Sequence, residues 1–420
     1  ELYRDEELQR LIRIALEENK DLKRAVASID EFQARLFTAR MDFAPQFSAT
    51  GNVPAARLGG VRFPGFASPF NYYGQGSLSW ELDIWGRIRR ANEAGLADLL
   101  AQEENRRAVT LQIVGGVAQA YFDLRQFDMQ LEIATRTLSA WEESVRIGHA
   151  RLRQGMINKL DVDQFEAERE NAAARIAELK RHMIQKENEL SVLLGRNPSQ
   201  IARGRSLTEQ MMPPVVPAGL PSELLQRRPD VVQAEQQLVA STARIGVAKA
   251  ERFPKLSLTG FLGVASPTLT DFVSPATNFG VLAPVLTGPL LNAQTLGFQQ
   301  QAVEAQAKQA VAQYEQTILV AFREVEDALV GVSTAREQAA AQERQVNALR
   351  SALHLASLRY KGGLANYLDV LIAQRSLFEA ELALAATHRL HLVSVVQLYK
   401  ALGGGWSPEM DGPKRNSKGS

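Results

Sequence analysis

Apolar residues recur along much of this chain at steps of three and four. Val311, Tyr314, Ile318, Ala321, Val325, Ala328, Val332, Ala335 and Ala339 follow that step without a break, the 3.5-residue period of a supercoiled helix. No proline intervenes between Pro289 and Tyr360, so a helix of about 100 Å is expected there at 1.5 Å per residue. The next helix carries two apolar seams. Leu368, Leu371, Phe378, Leu382, Ala385 and Leu392 form one, and Val370, Ala373, Leu377, Ala380 and Leu384 the other. A helix with two seams touches neighbours on both sides, as in a cylinder wall of helices.

Elsewhere the period changes to two. Phe47, Ala49, Gly51 and Val53 alternate with Gln46, Ser48, Thr50 and Asn52, and Leu256, Leu258, Gly260, Leu262 and Val264 alternate with Ser257, Thr259, Phe261 and Gly263. Residues 72–80 place Tyr72, Leu78 and Trp80 opposite Gln75, Ser77 and Ser79, and residues 278–286 are read with Phe279, Val281, Ala283 and Val285 outward. The expected strands are therefore 46–53, 72–80, 256–264 and 278–286. Residues 44–80 and 256–303 contain Arg57, Arg62 and Asp271 and no other Asp, Glu, Lys or Arg. Soluble strands place charge on the solvated face, whereas here that face is Ser, Thr, Asn and Gln. Segments of about nine residues, with aromatics near their ends, match tilted strands that cross a bilayer. Four strands cannot close a barrel, and open edges are not tolerated in lipid. Closure takes about eight strands or more, so each subunit must supply one sector of a shared barrel.

The chain is also written twice. Gly155, Asn158, Leu160, Asp161 and Val162 recur 208 positions later as Gly363, Asn366, Leu368, Asp369 and Val370, and Leu194-Gly195 recurs as Leu402-Gly403. Residues 1–200 and 201–406 thus read as two repeats, each running helix, charge-poor strand pair, very long helix, glycine turn, long helix. The long helices are expected at 86–148 and 157–194 and at 289–360 and 364–402. The tail 407–420, rich in Pro, Gly, Ser and Lys, is expected to be disordered.

Composition narrows the classes further. Lys and Arg number 48 against 47 Asp and Glu, a formal net charge of +1, which excludes a generally basic nucleic-acid binder. The sequence has no cysteine, hence no disulfide, thiolate metal site or Cys nucleophile. No run approaches the roughly 18 apolar residues of a membrane-spanning helix.

The fragments WELDIWGRIRR at 80–90, VPAGLPSELLQRRPDVVQAE at 216–235, NYLDVLIAQRSLFEAE at 366–381 and LYKALGGGW at 398–406 resemble the TolC family of outer-membrane efflux channels, closest to the OprM/NodT lipoprotein branch. The resemblance covers residues 1–406. It implies an α+β membrane protein that forms a homotrimer, with a twelve-stranded barrel in the outer membrane of a Gram-negative bacterium and a twelve-helix tunnel into the periplasm. It also implies two partners, a periplasmic adaptor (membrane fusion protein) and an inner-membrane transporter of the RND type. Members of that branch carry an N-terminal lipidated Cys. This sequence has none and begins inside the family pattern, so an upstream segment is expected.

On the resemblance, the helix ends near Asp161 and Asp369 form a closed periplasmic entrance. Asp369 would make a ring of like charges, with Leu368, Ile372 and Arg375 completing the gate, and Asp161 would pair across helices near Tyr360. The branch usually has an aspartate where this chain has Ile372. From the residues alone, an acid in a first helical turn is commonly a partner of the helix dipole. Gly155-Met156 and Gly363-Leu364 match the family's adaptor-contact tips, and the same glycines suit plain helix capping.

Other constellations carry less. RRPD at 227–230 reads as a helix start. His388 and His391 lie three apart with no neighbouring carboxylate in the sequence and read as seam or surface residues rather than metal ligands. Gly74-x-Gly76 and Gly403–Gly405 lack a nucleotide-binding setting, and no supported Ser, His and Asp constellation is visible. The expected function is a passive exit duct with no cofactor and no catalytic site. Metal efflux and type I secretion are alternatives within the channel class, and a periplasmic coiled-coil adaptor or scaffold is the alternative outside it. Loops 54–71 and 265–277 are expected to face the cell exterior.

Overall fold

A computed structural model of the chain describes residues 3–52, 72–210, 226–266, 270–289 and 293–404. Loop 54–71 and the tail 407–420 of the sequence reading lie outside those residues. The order of elements is α1 (Glu6–Glu18), α2 (Lys20–Met41), β1 (Gln46–Asn52), β2 (Tyr72–Leu82), α3 (Arg87–Arg153), α4 (Lys159–Leu193), α5 (Pro229–Ala250), β3 (Lys255–Ser266), β4 (Asn278–Thr287), α6 (Ala293–Lys361) and α7 (Tyr367–Ala401). At 67 and 69 residues, α3 and α6 are each about 100 Å long. No described helix is long and apolar enough to cross a membrane.

The chain forms two compact units. One comprises Glu1–Val26, Asn105–Val231 and Ile318–Ser420, the other Ala27–Glu104 and Val232–Thr317. Both draw on both sequence halves, so the units cut across the repeat.

The second unit holds the sheet. Its strands run β1-β2-β3-β4, antiparallel throughout, and among the described residues β1 and β4 each keep one unpaired edge. Directly opposed residues share a face. Phe47, Leu78, Gly260 and Leu282 form one row, and Ala49, Gly76, Leu262 and Gly280 the next. That register corrects the expected face of β4. Phe279, Val281, Ala283 and Val285 lie with Gln75, Ser77 and Thr259, while Leu282, Pro284 and Leu286 continue the apolar face of the other strands. Both faces of β4 are largely apolar, so its periodicity could not set the phase. Phe47, Leu262, Leu282 and Leu286 are exposed.

The fragment around Trp80 builds the passage from β2 to α3. Glu81 holds Arg87 in a two-pronged ion pair at 2.8 and 2.9 Å. Asp83 accepts from the backbone N–H of Ile88 and Arg89, both at 2.9 Å, satisfying donors that a helix start leaves free. Trp85 donates to the Pro254 carbonyl at 2.7 Å and stacks on Phe253.

The first unit holds the main core. Tyr3, Leu8, Leu11 and Ala15 pack with Val117, Tyr121, Phe122 and Leu124 of α3, Leu190 of α4, and Leu392 and Val396 of α7. Asp5 anchors this core. Only 1% exposed, it caps α1 through Glu7 and Leu8 N–H. It also accepts from the Tyr121 hydroxyl at 2.8 Å, Gln210 Nε2 at 2.7 Å and Arg205 N–H at 3.1 Å. Burial pushes the Asp5 carboxyl up, but these hydrogen bonds outweigh it and leave it below its ordinary value. Arg228, the second arginine of RRPD, is likewise buried. It joins Asp230 at the start of α5 to Glu324 of α6 and to the Ala401 carbonyl at the end of α7. Two smaller clusters follow along the helices, one around Ile133, Leu179, Phe378 and Leu382, the next around Trp141, Phe165 and Leu371.

Candidate functional site

The hairpin α3–α4 and the hairpin α6–α7 end in turns built to one plan. Gly155 and Gly363 have φ of +70° and +72°, a conformation that glycine adopts without steric cost. In the first turn Met156 N–H reaches the Arg151 carbonyl at 3.0 Å and Gly155 N–H the Leu152 carbonyl at 3.0 Å; in the second Leu364 N–H reaches Arg359 at 2.8 Å and Gly363 N–H reaches Tyr360 at 3.0 Å. This is the Schellman pattern, which satisfies the last carbonyls of a helix. Beyond each glycine stands an exposed apolar side chain, Met156 at 68% and Leu364 at 75%.

The helices that follow begin differently. Asn158 accepts from Asp161 N–H at 2.9 Å, and the Asp161 carboxylate accepts from Asn158 N–H at 3.3 Å. The two close a capping box. At the equivalent place Asn366 makes no side-chain cap, and Asp369 is exposed without an ion pair or side-chain hydrogen bond among the described residues. Leu368, Ile372 and Arg375, the other expected gate residues, are exposed on the same first turns of α7. The four expected gate residues are thus together on one stretch of helix surface.

Tyr360 is held within the chain, though not by Asp161. Its hydroxyl accepts from Arg151, whose guanidinium also lies 4.9 Å from the ring centroid. Tyr367 meets the Tyr360 ring edge-on at 4.8 Å and the Phe165 ring at 4.3 Å, and its hydroxyl donates to Ser144 Oγ at 3.1 Å. Burial pushes the Tyr367 phenol up. Phe165 in turn fills the space left by Gly148, where a Cβ would sit 2.7 Å from the ring. Arg151 and Ser144 on α3, Phe165 on α4, Tyr360 on α6 and Tyr367 on α7 therefore tie the two hairpins together just behind their tips. No hydrogen bond joins Asp161 to Tyr360 among the described residues.

Arg151, Tyr367, Phe165 and Gly148 did not stand out in the sequence. One signal was available, since Arg151 recurs as Arg359 at the 208-residue spacing of the repeat. His388 faces one carboxylate from another helix, Glu343 Oε1 at 3.8 Å. Glu343 comes from α6, out of reach of any local pattern. Even so, no group of three His, Asp or Glu among the described residues is arranged to hold a metal ion.

Strands with open edges, apolar surface on the sheet and long helices ending in paired tips define the subunit of an outer-membrane channel. The chain belongs to the outer membrane efflux protein family, whose sequence profile matches residues 11–196 and 220–404. It is similar to the probable efflux pump outer membrane protein TtgC of Pseudomonas putida, 36% identical over 97% of this chain and 84% of the relative. Similarity to the cation efflux system protein CusC of Escherichia coli is 33% over 96% of this chain and 87% of the relative. Among solved structures, one of CusC superposes with a TM-score of 0.85 at 32% identity, covering 96% of this chain and 94% of that one. The open state of the MtrE outer membrane channel of Neisseria gonorrhoeae gives 0.83 at 32% identity, covering 96% and 90%. The fold class is that of the trimeric efflux channels, with four strands per chain in a shared transmembrane barrel continued by long helices. The protein resides in the outer membrane.

Proposed function

We propose that three copies of this chain form the exit duct of a tripartite efflux pump, conducting drugs or other small toxic compounds passively from periplasm to exterior. An RND-type inner-membrane transporter would supply the energy and a periplasmic adaptor would join the two. The observation that carries this reading is the sheet. Among the described residues β1 and β4 each leave an edge unpaired while Phe47, Leu262 and Leu286 are exposed, an arrangement that is stable in lipid only when further copies close the ring. The test is the mass of the detergent-solubilised protein together with its conductance in a planar bilayer. A trimer that conducts, at least once Tyr360→Ala releases the gate, is expected; a monomer, or a trimer that passes no ions even in that variant, contradicts the reading.

Residues 1–200 and 201–406 are read as the two structural repeats, with the tips Gly155-Met156 and Gly363-Leu364 meeting the adaptor. Leu368, Asp369, Ile372 and Arg375 form the periplasmic gate. Tyr360 ties it shut through Arg151 and Tyr367. For Asp161 the tie would run to a neighbouring copy, because its hydrogen bonds within the chain are local to its own helix end. Relatives include both a toluene efflux pump protein and a cation efflux system protein. The exposed Leu368 and Ile372 beside a single free carboxylate favour amphipathic organic compounds over a dedicated cation path. Deleting the gene should sensitise cells to solvents and antibiotics; sensitivity to transition-metal cations alone would assign the duct to cations.

A further inference from the structure

One arginine that bridges helices has no acid to meet. In the same unit Arg136 and Arg350 both hold Glu381 at 2.7 Å, and Arg389 holds Asp123. Arg151, half-buried on α3, meets the Tyr360 phenol instead and makes no ion pair among the described residues. A guanidinium carries five N–H donors in a planar fork that suits a two-pronged carboxylate. Tyr360 takes up one of its nitrogens, and the other two make no hydrogen bond among the described residues.

Beside Arg151 lies a cavity of about 300 Å³ lined from α3, α4, α6 and α7, at the lower end of the range for small-molecule sites. The rings of Phe165, Tyr360 and Tyr367 wall it. Its hydroxyls are engaged, Ser144 with Tyr367 and Ser357 with the Leu353 carbonyl of its own helix. Gln374, half-buried in the lining, makes no side-chain hydrogen bond among the described residues. Lys361 is the second cation of the lining, and none of the described lining residues is Asp or Glu. Aromatic walls, two cations, an unengaged amide and no acid are complementary to a flat apolar body that carries negative charge.

We propose that this cavity binds a small aromatic carboxylate, with its carboxyl on Arg151 and its ring among Phe165, Tyr360 and Tyr367, and that the bound compound braces the two hairpins against each other. Arg151 and Phe165 belong to the first hairpin, Tyr360, Tyr367 and Lys361 to the second. A ligand that touches both favours the arrangement that keeps them together. Any effect on opening follows from the proposed gate, whereas the binding and the bracing stand apart from it.

The test titrates benzoate, neutral benzamide and non-aromatic cyclohexanecarboxylate against the full detergent-solubilised channel, followed by saturation-transfer NMR. Benzoate should bind at least about tenfold more tightly than benzamide and several-fold more tightly than cyclohexanecarboxylate. Arg151→Gln should abolish the preference for benzoate over benzamide. Because that change also loosens the tie, a second variant leaves Arg151 in place: Ser357→Leu, checked for wild-type mass and helix content, fills the cavity and should weaken benzoate at least about tenfold. Saturating benzoate should slow hydrogen exchange at the ends of both α3 and α6. Equal binding of benzoate and benzamide, binding of neither, or benzoate binding that survives both variants overturns the proposal. Slowed exchange in only one hairpin overturns the bracing. A trimer that conducts yet binds no benzoate leaves the exit-duct reading standing while this one falls.

Discussion

The tips of the two hairpins share a backbone and differ in what their aspartates do. Both helices end on a glycine near φ +70° with the same pair of reversed hydrogen bonds. After the first turn, Asp161 is spent on closing the start of α4. After the second, Asn366 forms no side-chain cap and Asp369 makes no side-chain bond among the described residues. The two turns are one structural device seen twice, and among the described residues the second leaves its carboxylate available for a role beyond the helix. Sequence identity between repeats therefore marks shared geometry rather than shared function.

The sharpest way to separate the tips is through the tie between them. Replacing Tyr360 with Ala removes a charge-assisted hydrogen bond, a cation–π contact and an edge-on ring contact at once. Such a loss is worth roughly 1.5–3 kcal/mol, so the open probability of the channel should rise at least about tenfold in single-channel recordings. Arg151→Ala should act in the same direction. An unchanged open probability in both would show that the hairpins are held elsewhere.

A smaller effect distinguishes the caps. Asp161→Ala should weaken the first turn of α4 by about 1 kcal/mol, the usual loss for a cap, seen as several-fold faster hydrogen exchange there. Asp369→Ala should change exchange in α7 hardly at all, within about 0.5 kcal/mol. Equal effects would erase the contrast. Gly155→Ala and Gly363→Ala serve as controls, since the positive φ penalty of about 1 kcal/mol should be alike in both turns.

The smallest expected effect is a pH dependence between α6 and α7. Burial holds His388 below its ordinary value against the opposing pull of Glu343, and burial together with Arg336 and His388 lowers His391. Groups with depressed histidine values take up protons more readily when unfolded, so their effect on stability is neutral above about pH 6.5 and unfavourable as pH falls below it. Acidification should increase hydrogen exchange around residues 336–343 and 388–391, and His388→Gln should reduce that response. No change on acidification would place both imidazoles in ordinary solvent.

Much of the fold was legible because its periods are long and uninterrupted. The step of three and four through Val325, Ala328 and Ala335 marks the buried side of α6, and the charge-poor windows hold β1, β4 and all but one end of β2 and β3. β4 resisted because Leu282 and Leu286 are as apolar as Val281 and Val285, so only pairing with β3 fixes its face. At the tips, the glycines and aspartates were visible as repeated letters. What the repeat could not reveal is that the Asn158 side chain closes a cap where that of Asn366 does not, because residue type and extended backbone are alike at both positions. The tie of Arg151, Tyr360 and Tyr367 was hidden for another reason. Arg151 lies 209 residues from Tyr360, and Tyr367 lies 223 from its partner Ser144, so only packing brings the two hairpins' members together.

The contrast between the two aspartates meets its most direct test in ion selectivity. If Asp369 rings a narrow opening in the trimer, as proposed, its three copies attract cations and repel anions, and screening confines that effect to about 8 Å at physiological salt. Cation-to-anion permeability ratios of the reconstituted trimer should fall in Asp369→Ala and stay at the wild-type value in Asp161→Ala. The same ratio in wild type and Asp369→Ala, or an equal loss in both variants, would contradict a gate built on the second tip.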